Sequence, residues 1–141
     1  MHRTLSLVPL LLTLACSPLP DTVGEAVPTG PLWRLVSIND APAGVAATIR
    51  FQASGRVTGA GPCNGFFAQQ TAPLPWVEIE GFQATQRPCT EKLAEDAYFL
   101  ALQQMEFVEV ADGSLLLTTN GGQSLYFESG ERSASEPRDG P

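Results

Sequence analysis

Histidine is all but missing: the only one, His2, stands beside the initiator methionine in what reads as a leader, so a processed chain would have none. That removes the commonest general base and the commonest metal ligand together. Basic charge is scarce, with eight Lys and Arg against fifteen Asp and Glu and a net charge of -7. Such a chain repels phosphate backbones, which argues against nucleic acid as a partner. No apolar run approaches the roughly 20 residues that a membrane-spanning helix needs, and twelve Pro and thirteen Gly break up long helices, which disfavours a helical bundle. What remains is 141 residues with 43% hydrophobic side chains. That suits one domain with a single packed core, built largely from turns and short elements.

The N-terminus reads as an address. Arg3 supplies the positive charge of a secretory n-region, and residues 5–14 form a short apolar stretch. Thr13-Leu14-Ala15-Cys16 follows, a small residue before a cysteine, and resembles the lipobox of bacterial lipoproteins. On that reading residues 1–15 are a cleaved signal peptide and the Cys16 thiol carries acyl chains that hold the protein on a membrane. Two or three chains anchor stably because each buried methylene contributes about 0.8 kcal/mol. The rival reading is an ordinary leader with Cys16 a spare thiol. Ser17 in place of Asp favours the outer membrane if the source is Gram-negative.

Three cysteines leave one unpaired. If Cys16 is a thioether to lipid, Cys63 and Cys89 remain, and in an oxidising compartment they are expected to pair as a structural disulfide. A redox pair is the rival, but such thiols usually stand in a Cys-x-x-Cys element at a helix start. A zinc site is poorer, since two cysteines without histidine fill half a tetrahedron. No metal and no cofactor is expected.

Residues 16–31 carry Pro18, Pro20, Pro28 and Pro31 and read as a flexible linker. The domain is expected over residues 32–128, with a disordered tail over 129–141. Within it, runs at 33–38, 47–52, 56–60, 65–70 and 76–81 are rich in β-branched and aromatic residues. Val77 and Ile79 alternate with Glu78 and Glu80, the period of a strand with one wet face. One segment, about 90–105, reads as a helix: Thr90 as N-cap, and Leu93, Ala94, Ala97, Tyr98, Ala101, Leu102 and Met105 on one face. Its acidic residues Glu91, Glu95 and Asp96 read as a solvated face. After it, Asp112-Gly113 and Asn120-Gly121 join three further strands as a meander. The fold expected is mainly β: a small antiparallel barrel, or strongly curved sheet, of about eight strands with one helix.

Candidate site residues cluster in one loop and its following strand. Gly61, Asn64, Phe66 and Phe67 could form a binding loop, with Asn and Gly offering donors at a turn. The plainer role is to turn the chain beside a pinned cysteine. Most aromatic rings are needed to fill so small an interior; Trp76, after Pro73-Leu74-Pro75, is the expected exposed one, placed to meet a partner or lipid headgroups. No serine stands out beside a base, and the single lysine, Lys92, falls in the first helical turn, so no catalytic residue is assigned.

Several elements together resemble a known family. Trp33-x-Leu35-x-x-Ile38, Ile49-x-Phe51, Gly55-Arg56-Val57-x-Gly59, Gly61-Pro62-Cys63-Asn64, Thr85-x-x-x-Cys89, Glu95-x-x-Tyr98-x-x-x-Leu102, Leu115-x-Leu117 and Leu125-x-Phe127 are similar to the META domain of HslJ-type heat-shock lipoproteins. Arg87-Pro88 stands where the family usually carries Met-Ala or a similar pair. The resemblance implies a lipocalin-like barrel, an exported and often lipidated protein, a part in envelope stress and antibiotic resistance, and no known catalysis. The expected function is therefore noncatalytic: a lipid-anchored envelope protein acting through contact with another envelope protein or component. A carrier or sensor of a small apolar ligand, or an inhibitor of a periplasmic hydrolase using the loop at 61–67, are the alternatives.

Overall fold

Alternating burial along short strands curls one antiparallel sheet into a half-barrel. The structure is a computed structural model that describes residues 16–130. The expected leader at 1–15 and residues 131–141 of the tail expected over 129–141 lie outside the described residues. A short helix α1 (Val23–Ala26) precedes the strands β1 (Trp33–Ile38), β2 (Ala41–Pro42), β3 (Thr48–Phe51), β4 (Arg56–Ala60), β5 (Gly65–Gln70) and β6 (Ile79–Ala84). Helix α2 (Lys92–Gln103) follows, then β7 (Phe107–Ala111), β8 (Ser114–Thr118) and β9 (Ser124–Ser129). The sheet order is β6-β5-β4-β3-β1-β9-β8-β7, with β2 paired to β1. Residues 75–77 tie the two edges together: Val77 N–H donates to the Glu106 carbonyl at 2.9 Å, Val108 N–H donates to the Pro75 carbonyl at 2.9 Å, and Trp76 bridges Phe107.

Each strand sends every second side chain inward. Along β5 Phe66, Ala68 and Gln70 are buried while Phe67 and Gln69 face out. Trp33, Phe51, Tyr98, Phe127, Leu115 and Leu117 are almost fully buried and occupy the interior. Phe66, Phe82 and Phe99 pack ring to ring, with centroids 4.8 to 5.3 Å apart. All of these core side chains lie between Val23 and Phe127.

The barrel has two ends. The β3–β4 turn, the start of the β5–β6 loop, the β7–β8 turn and the chain leaving β9 share one. The β4–β5 loop, the connection from β6 to α2, and α2 itself share the other.

Three expectations change. Strand β6 starts at Ile79 and not at Trp76, because the preceding residues pair with the opposite edge, and it runs beyond Gly81, whose φ of +61° lets the strand bend and continue. The helix is shorter than 90–105, with Glu91 and not Thr90 at the N-cap and no side-chain cap bond. Its buried face is Glu95, Tyr98, Phe99 and Leu102, so Leu93, expected inside, is 87% exposed. Packing also starts ahead of residue 32. The proline-rich stretch contains α1, capped by the Thr22 hydroxyl accepting from Glu25 N–H, and Val23 is buried against the barrel.

Candidate functional site

The best-built polar feature lies at the α2 end and centres on Glu95, which is fully buried. Its Oε2 accepts the backbone N–H of Cys63 and of Asn64, each at 2.7 Å, and its Oε1 accepts Asn64 Nδ2 at 2.5 Å. Burial pushes the carboxyl pKa up. The Asn64 amide, the two backbone donors and the nearby Lys92 charge outweigh it, so the net shift is below the ordinary 4.5 and Glu95 is ionised at neutral pH. The loop must come close for this to work. A Cβ at Gly61 would lie 2.7 Å from Glu95 Oε2, which is a physical reason for glycine there.

Asn64 joins the loop to the second cysteine's segment. Its Nδ2 also donates to the Arg87 carbonyl at 3.2 Å, and its Oδ1 accepts the Thr85 hydroxyl at 2.9 Å and Arg87 N–H at 2.6 Å. Both amide protons and both lone pairs are engaged, and the residue is 2% exposed. Asn64, a candidate ligand contact by sequence, therefore holds the loop together and offers a ligand nothing. The Cys63–Cys89 disulfide closes the same junction, with Cα atoms 6.1 Å apart.

Phe66 and Phe67 part company. Phe66 enters the core, whereas Phe67 lies on the outer wall, 45% exposed, with the Arg56 guanidinium 5.7 Å from its ring centroid. Beside them a groove of about 380 Å³ opens between Phe67, Thr58, Gln83 and Thr85, and runs past Gly65. Trp76 is 54% exposed on the segment that joins the sheet edges.

At the opposite end, α1 straps the chain onto the β3–β4 turn. Val23 N–H donates to Gln70 Oε1 at 3.1 Å, the Thr22 hydroxyl donates to the Ala53 carbonyl at 3.3 Å, and Gly24 lies flat on residues 52–53. A Cβ at Gly24 would fall 2.1 Å from the Gln52 carbonyl carbon. Cys16 lies beyond this strap, exposed and free. Among the described residues no helix is long and apolar enough to cross a membrane, and no cluster of three or more His, Cys, Asp or Glu is placed to hold a metal.

Glu95 is the residue that sequence reasoning misplaced, as part of a solvated acidic face. Its spacing of three, four and seven to Tyr98, Phe99 and Leu102 was the available signal.

With the curled sheet and the stapled loop in view, comparison with known proteins is decisive at the level of family. The META domain profile matches residues 29–131. This chain belongs to the META domain family. No curated protein sequence matches it. Among solved structures, a DUF4847 family protein from Bacteroides vulgatus aligns over 74% of this chain and 95% of its own, with 17% identity and a TM-score of 0.56. A protein from Burkholderia xenovorans, solved by NMR, aligns over 87% and 98%, with 17% identity and a TM-score of 0.58. These two are similar in fold.

Proposed function

We propose that this META domain is an envelope protein, held at a membrane by acyl chains on Cys16, that works by binding an envelope component and so contributes to stress tolerance or antibiotic resistance. The observation that carries this reading is the strap. Residues 22–26 dock on the barrel and lead directly back to an exposed Cys16, behind an apolar leader ending in Leu14-Ala15. From Cys16 to Thr22 an extended chain reaches at most about 20 Å. A barrel on so short a tether stays against the membrane surface, where modest contacts act at high effective concentration.

The interior favours surface contact over an enclosed apolar ligand, since Trp33, Phe51, Phe66, Tyr98 and Phe127 fill it. A wedge at 61–67 is less well supported, because Asn64 is spent on Glu95 and the Arg87 segment. Intact mass of the membrane-extracted protein tests the anchor. The expected chain begins at Cys16 and carries acyl mass; a chain that begins elsewhere with a free Cys16 thiol refutes the anchor.

A further inference from the structure

Strand register lays Arg50, Thr58, Phe67 and Gln83 in one row across the outer wall, each directly opposite the next on the neighbouring strand. Arg56 sits two residues before Thr58 on the same face, with its guanidinium over the Phe67 ring at 5.7 Å from the centroid. Both arginines are exposed. Among the described residues the one ion pair is Lys92–Asp96, so no described carboxylate pairs directly with either of them. No acidic side chain lines the groove beside them, in a chain whose net charge is -7. The floor is open because Gly65 has no side chain, although a Cβ there would meet nothing closer than the Gly59 carbonyl at 3.6 Å.

From this juxtaposition we infer that the groove binds an N-acetylated glycan bearing carboxylates, the chemistry of peptidoglycan. A guanidinium held over a ring by a cation-π contact has N–H donors left for bidentate pairing with a carboxylate. The exposed face of Phe67 suits the apolar face of a pyranose. The Thr58 hydroxyl and Gln83 amide supply donors and acceptors for hydroxyl and N-acetyl groups. The groove has the volume of a small-ligand site and is open to the side, as a polymer requires. Repulsion from the acidic remainder of the surface disfavours other docking positions for such a polyanion. The inference rests on the proposed envelope location but not on the acyl anchor.

The test uses the chain from Cys16 to Pro141, which keeps every core residue, labelled with nitrogen-15. It is titrated with the disaccharide of N-acetylglucosamine and N-acetylmuramic acid, and separately with neutral chitobiose. Saturable shifts are expected at Gly65, Phe67 and Gln83, with the neutral sugar about tenfold weaker for want of the charged pair. Arg56→Gln should abolish that difference. Gly65→Leu, which fills the groove, should abolish both titrations at unchanged thermal stability; if it folds poorly, Arg56→Gln alone still decides. No saturable shift, shifts elsewhere, equal affinity for both sugars, or binding at Arg56 to phosphatidylglycerol vesicles in place of sugar would overturn the inference. Any of these leaves the anchor reading intact, since that is read from the mass of the processed chain.

Discussion

The two ends of the barrel are held by different physics. At the α2 end a disulfide and a buried carboxylate fasten two loops and a helix in one connected network: Glu95 to Cys63 and Asn64, Asn64 to Thr85 and Arg87, Cys63 to Cys89. At the strap end α1 is four residues long and rests on the fit of Gly24 over the backbone, the burial of Val23 and two side-chain hydrogen bonds. The first end opens only if several strong interactions fail together. The second can release locally while the sheet stays intact. On the proposed anchor at Cys16, a domain tethered through its weaker end would change its angle to the membrane without losing the shape of its outer wall.

The largest perturbation of this contrast is Glu95→Ala, which leaves the Cys63, Asn64 and Asn64 side-chain donors buried without a partner. A loss of about 4 kcal/mol in urea unfolding is expected. A loss below about 1 kcal/mol would remove Glu95 from the centre of the network. Glu95→Gln keeps the shape but not the charge, and separates the two contributions by pH. Because the folded pKa of Glu95 is depressed, its contribution is complete above the ordinary value of 4.5 and is lost as pH falls through the lower folded value. Wild type should therefore lose stability on acidification below 4.5 more steeply than Glu95→Gln.

Next in size is the staple. Replacing Cys63 and Cys89 together with serine should lower stability by about 3.5 kcal/mol on the chain-entropy account. Gly24→Val should do less, about 1 kcal/mol by unfolding equilibrium, since it undocks the strap and, Val23 apart, spares the core. Its signature is a larger increase in amide exchange at Val23 than at Asn64, which follows global unfolding and speeds up only by the roughly fivefold that 1 kcal/mol represents. Smallest is Tyr98→Phe. The buried Tyr98 hydroxyl has no hydrogen-bond partner among the described residues, and burial raises its pKa far above the usual tyrosine value. Removing it should be neutral or stabilising by up to about 1 kcal/mol; a clear loss of melting temperature would show that the hydroxyl is satisfied in solution.

Legibility in the sequence follows the same division. The strands at 33–38, 56–60 and 65–70 were readable to the residue, because period-two burial and Gly-containing turns are local signals. The Cys63–Cys89 pair was readable once the leader pattern set Cys16 aside and left two cysteines to pair. Glu95 was not, because a carboxylate in a helix's first turn looks solvated until a distant loop brings N–H groups to it. Gly61 and Asn64 held the complementary information, but only as a loop whose partner is set by the tertiary fold. The strap was hidden by the prolines that flank it, Pro18, Pro20, Pro28 and Pro31, which signal a tether whether or not Val23 and Gly24 find a surface. Strand β6 slipped past the expected bounds because residues 75–77 serve the other edge, a long-range pairing that alternation cannot reveal.

Native-state hydrogen exchange tests the contrast between the ends most directly. The account expects the Cys63 and Asn64 amides, both donated to Glu95, to exchange only with global unfolding, and the Val23 amide, donated to Gln70, to exchange by local opening at a distinctly lower free energy. Equal protection at the two ends, or a more labile Asn64 than Val23, would contradict it.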